Sequence, residues 1–202
     1  AKVPYNPLRC HVQFRWFFEY SGGMVTDWGA HHLDIAQWGL GMDGSGPLSI
    51  EGTAEVKPGF YNTFTNFDFT LEYPNDVKVY FGPKGKGGVT FKGTKGEIFV
   101  TRGAINSTPE DILKEPLTSS DIRLYESNDH MQNWIDCIKS REKPICDVEI
   151  GHRSISVCHI ANICGHPKRK LYWDAENELF KNDKEANGML EREERAPYQR
   201  MG

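Results

Sequence analysis

The stretch Gly22-Gly23-Met24-Val25-Thr26-Asp27-Trp28-Gly29-Ala30-His31-His32-Leu33-Asp34-Ile35-Ala36-Gln37-Trp38 holds the residues best suited to chemistry. If it is helical, Asp27 and His31 lie one turn apart on one face, and Asp34 and Trp38 continue that stripe. A carboxylate beside an imidazole fixes the ring's orientation and raises its basicity, which suits proton transfer near neutral pH. The plainer reading is that the pair only stitches a helix, because polar pairs at this spacing are common. Gly29 favours the first reading: an interior helical glycine costs about 1 kcal/mol relative to alanine and usually answers a need for close approach. His31, His32, Asp27 and Asp34 are also metal-ligand types. Adjacent histidines diverge by roughly 100° around a helix, so the two would not reach one ion.

Other reactive-looking sets have simpler readings. Cys158, His159, Cys164 and His166 fit no zinc-ligand spacing, and a helix near 152–164 is apolar almost all round, so core packing is expected. The glycine-rich run Gly82–Gly88 lacks the spacing of a phosphate loop and joins strands where such a loop opens a helix. It reads as a mobile hairpin connection. Asp147, Glu149, His152 and Arg153 are expected to cap a helix and form ion pairs.

The elements that must position Asp27 and His31 follow from periodicity. Phe14, Trp16 and Phe18 alternate with Arg15, Phe17 and Glu19, which predicts a strand before the signature helix. Thr26 or Ser21 would cap that helix, and Gly41 to Gly46 would close it. From Leu48 to Thr101 the pattern is β: Phe67, Phe69, Leu71 and Tyr73 alternate with polar residues, and Val77, Val79 and Phe81 resume after a Pro74-Asn75-Asp76 turn. Two short strands, 89–91 and 97–101, follow, and several strands without intervening helices predict an antiparallel sheet. Residues 104–126 read as irregular. Ser127 caps a helix to about Arg141 with Met131, Trp134, Ile135 and Ile138 at helical spacing; the helix near 152–164, a strand at 171–174 and a surface helix over 181–195 complete the chain.

Composition narrows the function. The 202 residues fit one domain, and 38% hydrophobic and 26% charged content is ordinary for a globular chain. A net charge of −4 argues against nucleic acid as a partner. No apolar run approaches the roughly 20 residues of a membrane span, and no signal-peptide pattern is present. Five cysteines without a CxxC read as free thiols rather than a disulfide framework.

Gly22 to Trp38 resembles the GG-x(3)-D-x-G-x-H-x-x-D-x(3)-W signature of the Gfo/Idh/MocA family, the glucose–fructose oxidoreductase and inositol dehydrogenase group. Phe14-Arg15-Trp16 is similar to the aromatic–arginine strand upstream of that signature, and Phe91-Lys92-Gly93-Thr94-Lys95-Gly96 to the family's F-x-G-x-x-G hairpin. His130 to Trp134, Arg141 to Pro144, Gly151-His152-Arg153, Leu171 to Asp174 and Arg195 to Tyr198 also match in order. The resemblance implies an α+β domain: a large open, mostly antiparallel sheet with helices packed on one face. It implies a substrate-binding and oligomerisation domain over 1–202, with the family's N-terminal Rossmann domain absent; Ala1 to Tyr5, without an initiator methionine, also reads as the interior of a longer protein.

On the same resemblance, His31 and Asp27 would be the catalytic pair. His31 would exchange a proton with a substrate hydroxyl and Asp27 would orient it or contact the sugar, with Arg15, Trp28 and His32 as substrate-binding neighbours. NAD or NADP would be bound mainly by the missing domain, so no cofactor-binding or metal-binding residue is assigned here and the chain alone is expected to be inactive. Glu142-Lys143-Pro144 spells the family's catalytic-lysine motif but follows a late helix, and is read as coincidence. The implied activity is sugar or polyol dehydrogenation, with a homodimer or tetramer formed through the open sheet. The alternatives are an oligomerisation or carbohydrate-recognition module, or a family-type NAD-assisted glycosidase.

Overall fold

Alternating side chains become strand only where a partner strand lies alongside, and the chain supplies such partners twice. The computed structural model describes residues 3–192, 194, 196, 197 and 199. Its regular elements are α1 (Met24–Gly39), β1 (Ser49–Glu55), β2 (Asn66–Glu72), β3 (Lys78–Phe81), β4 (Val89–Gly93), β5 (Gly96–Thr101), β6 (Ala104–Thr108), α2 (His130–Ser140), α3 (Val148–Cys164), β7 (Leu171–Asp174), β8 (Leu179–Phe180) and α4 (Lys184–Asn187). The class is α+β, with antiparallel sheets and helices packed on them. The strands form a five-stranded sheet in the order β3-β2-β1-β7-β8 and a separate three-stranded sheet, β4-β5-β6.

In the larger sheet the register puts Leu71 opposite Ile50 and Phe67 opposite Ala54. These residues, with Phe69, Leu171 and Trp173, are buried beneath Val25 and Leu33 of α1 and Val157, Ile160, Ala161 and Ile163 of α3. Burying each such Val, Leu, Ile or Phe contributes roughly 1.5–3 kcal/mol, so this layer is the main source of stability. Asp68, Glu51, Tyr80 and Tyr172 of the same strands lie on the opposite, exposed face. The β2–β3 hairpin turns at Asn75 and Asp76, both in left-handed backbone, which these side chains tolerate.

Several expectations are corrected. Residues 14–19 are not a strand: His11–Trp16 form a 3-10 helix, and Phe17 alone is driven fully inward, with the Arg9 guanidinium 4.4 Å over its ring. Aromatic alternation over six residues does not distinguish the two, and among the described residues no strand lies beside this segment to pair with it. The Gly82–Gly88 run links the two sheets instead of closing a hairpin, because β3 pairs with β2 and β4 with β5. Residues 104–108, expected to be irregular, are the edge strand β6, largely exposed on both faces and therefore without alternation. The two-residue strand β8 falls between the expected strand at 171–174 and the expected helix over 181–195.

Helix ends differ too. Gly23 caps α1 without a side-chain bond, and the Thr26 hydroxyl donates back to the Gly23 carbonyl at 3.2 Å. Asp129, not Ser127, caps α2 by accepting from the Gln132 amide at 2.8 Å. The helix expected over 181–195 shrinks to the single turn of α4, capped by Asp183 and ended at Gly188. Of the Arg195–Tyr198 match, Arg195 and Tyr198 lie outside the described residues.

Candidate active site

The signature segment seats one side of α1 and frees the other. Gly23, at a φ of 63° that side chains rarely adopt, sits where a Cβ would fall 2.3 Å from the Thr63 hydroxyl. Six residues on, a Cβ on Gly29 would lie 3.0 Å from the Phe81 ring and 3.2 Å from the Cys158 sulfur. These two positions let the helix press Val25, Gly29, Leu33 and Ala36 into the core. Asp27, Trp28, His31 and His32 are left on or near the surface.

Asp27 and His31 are on neighbouring turns, yet each has its own arginine. Arg15 forms an ion pair with Asp27 at 3.1 Å, and its own Nε donates to the Val12 carbonyl at 3.1 Å. A guanidinium nitrogen of Arg102 lies 2.6 Å from Nδ1 of His31. Arginine can only donate, so Nδ1 accepts and the neutral ring carries its hydrogen on Nε2. Trp28 lies edge-on to His31, with ring centroids 6.2 Å apart, and 5.9 Å from His32. Burial lowers the pKa of half-buried His32 below the usual imidazole value, and neighbouring His31 and Arg102 push it the same way.

The stripe does not continue as expected. Asp34 turns toward α3 and accepts from the Ser154 hydroxyl at 2.6 Å, so it belongs to helix packing. Arg15 reaches the site from a 3-10 helix instead of the expected strand.

Arg102 is the residue the sequence reading missed. It occupies the turn between β5 and β6, and without β6 that turn had no signal beyond Arg102-Gly103 itself. The F-x-G-x-x-G hairpin explains how the second sheet comes near α1. The Phe91 ring packs so close under Gly39 that a Cβ there would lie 2.5 Å from it. At the hairpin's end, a Cβ on Gly96 would fall 2.2 Å from the Thr108 carbonyl.

The four residues of the second set do not converge. Cys158 and Cys164 are fully buried, and burial pushes both thiols up to about 12. His159 and His166 lie at the exposed surface, contrary to the expectation of core packing; His166 sits with its ring centroid 5.0 Å from Phe18 and 5.0 Å from Phe64. Asp147 caps α3, Glu149 pairs with Arg153 at 2.7 Å, and His152 meets Glu178 at 2.6 Å, as expected of structural polar residues. A surface recess of about 400 Å³ lies beside α2, lined by Tyr125, Asn133 and Cys137 among others, and includes none of the signature residues. Among the described residues no three His, Cys, Asp or Glu side chains are grouped to hold a metal ion.

A family model described as the C-terminal alpha/beta domain of an oxidoreductase family, Gfo/Idh/MocA type, matches residues 1–200. The chain belongs to the Gfo/Idh/MocA oxidoreductase family. The fold of this Gfo/Idh/MocA domain is shared with the WlbA dehydrogenase of Bordetella pertussis, solved with NADH and UDP-GlcNAcA, at a TM-score of 0.59 and 14% identity over 81% of this chain and 49% of that one. An NAD-binding protein from Listeria innocua gives 0.56 and 17% identity over 80% and 51%. An oxidoreductase from Thermotoga maritima gives 0.54 and 17% over 84% and 50%. The chain therefore spans about half the length of the solved structures it resembles. No curated protein sequence matches it.

Proposed function

We propose that this chain is the substrate-binding half of an NAD(P)-dependent oxidoreductase acting on a sugar or polyol, with Asp27 and His31 lining the substrate pocket. The observation that carries the reading is the accessible side of α1: a carboxylate, an imidazole and an indole displayed together, with Arg15 and Arg102 arriving from two other elements. Membership of an oxidoreductase family and fold neighbours solved with nicotinamide cofactors support it. The glycine-rich Gly82–Gly88 run joins two sheets and does not fit a dinucleotide, so no residue of this chain is assigned to the cofactor. Hydride transfer is the chemistry a bound nicotinamide would supply.

The work of this chain's own residues is at the substrate oxygen. With Nδ1 occupied by Arg102, Nε2 is the ring nitrogen left to face a substrate hydroxyl. In that state it donates a hydrogen bond. To take the hydroxyl proton at Nε2, the ring must carry its hydrogen on Nδ1, which requires Arg102 to leave. Asp27, its charge already met by Arg15, would accept from a sugar hydroxyl.

The test uses the full-length gene product and follows nicotinamide absorbance across a sugar and polyol panel. His31→Ala is expected to lose turnover while keeping cofactor affinity. Unchanged turnover would remove His31 from the chemistry. Self-association is a second reading, favoured by Tyr80 and Tyr172 standing exposed on the uncovered face of the larger sheet. Light scattering should then show a dimer or tetramer that Tyr172→Glu dissociates.

A further inference from the structure

We propose that Arg102 makes this an anion-recognising pocket, so that the substrate is an acidic sugar bearing a carboxylate or a phosphoryl group; the inference rests on the site assigned above. Arg15, Arg153 and Arg169 each meet a carboxylate, at 3.1, 2.7 and 2.8 Å. Arg102 differs. Its described partner is the His31 Nδ1 lone pair, an acceptor without charge, so its positive charge is uncompensated by any carboxylate at ion-pair distance among the described residues. The site's other charges cancel, because Asp27 is paired with Arg15.

A guanidinium carries five N–H donors in a rigid plane, and one bond to Nδ1 leaves most of them open. That fork matches two oxygens of a carboxylate or phosphoryl group, with bonds roughly twice as strong as neutral ones. The side chain springs from a tight turn whose next residue, Gly103, has a φ of 81°, so the second sheet delivers it directly beside α1. An anion that engages Arg102 draws it off Nδ1. The ring is then free to hold a hydrogen there and to accept the substrate's hydroxyl proton on Nε2. One guanidinium thus couples recognition of the acidic group to release of the imidazole for proton transfer.

The experiment is calorimetric titration of the full-length protein, with and without NAD, using D-glucose, D-glucuronate and D-glucose 6-phosphate. At least one acidic sugar should bind about tenfold or more tightly than glucose, the size expected of hydrogen bonds to a charged group. The two acids separate carboxylate from phosphoryl recognition. Arg102→Gln keeps a donor for His31 but removes the charge, and should erase the margin of the acidic sugar over glucose. Arg102→Lys, which keeps the charge, should retain part of it. Acidic sugars that bind no better than glucose, or not at all, overturn the proposal, as does a margin that survives Arg102→Gln. His31-dependent turnover of neutral sugars alone would do so while leaving the oxidoreductase reading standing; a protein that binds acidic sugars but no nicotinamide would do the reverse.

Discussion

Two helices of this domain carry similar reactive residue types and put them to opposite uses. On α1 the glycines and small apolar residues face the core, and the acid, indole and imidazoles face out, within reach of arginines from elsewhere in the chain. On α3 the thiols face the core and the imidazole of His159 faces out, so no three groups meet. What separates a candidate site from core packing here is direction. A site needs its polar groups on the accessible side of a helix whose other side is fixed by close packing.

The largest expected effect tests the outward side. In the full-length protein His31→Ala should lower turnover by about 10²–10⁴-fold, the range for loss of a general acid–base group. The melting temperature should hardly move, because His31 is exposed. A comparable loss on replacing His159, the outward imidazole of α3, would erase the contrast between the helices.

The seat of α1 comes next. Gly23→Ala forces a Cβ to within 2.3 Å of the Thr63 hydroxyl in a backbone conformation that side chains avoid. Strain of this kind and overpacking each cost on the order of 1–3 kcal/mol, and the loss is read from urea unfolding. Gly29→Ala should cost less, because its Cβ contacts are at 3.0 and 3.2 Å and alanine regains about 1 kcal/mol of helix propensity.

Those two glycines also show what was legible beforehand. Spacing alone marked Gly29 as an answer to close approach, and it placed Asp27 and His31 on one helix. The β2–β3 hairpin was equally readable, since alternation in β2 reflects one buried face, whereas the F-x-G-x-x-G hairpin was marked by its motif alone. Arg102 was not. Its strand β6 buries almost nothing, so no pattern announced the turn that presents it. Asp34 misled for the opposite reason: helical spacing gives an angle on the helix, not the Ser154 hydroxyl that meets it.

The inward side has its own test. Both α3 thiols are held up to about 12 by burial, against a usual value near 9. The folded state therefore keeps protons that the unfolded state releases above pH 9. Their stabilising contribution is complete below that point and falls as pH rises, by at most about 1.4 kcal/mol per unit for each thiol. Alkaline unfolding curves should show that decline, and Cys158→Ala should flatten it. At pH 8 iodoacetamide should label exposed Cys146 and spare Cys158 and Cys164. Rapid labelling of Cys158 in folded protein would mean that α3 does not pack as described.

The smallest effect concerns Arg15, which reaches the outward side of α1 through its ion pair with Asp27. Its ion pair with Asp27 leaves the side chains 39% and 25% exposed, so solvent screens it. Such pairs contribute about 0–1 kcal/mol. Arg15→Gln should therefore lower the melting temperature by no more than about 2–4 °C for a chain of this size. Its larger consequence is electrostatic. With the guanidinium gone, Asp27 becomes an uncompensated negative charge one turn from His31, opposing the positive charge of Arg102. If the pocket selects anions, KM for an acidic sugar should rise several-fold while KM for a neutral one stays nearly constant. Equal changes for the two sugars would show that Arg15 only holds Asp27 in place.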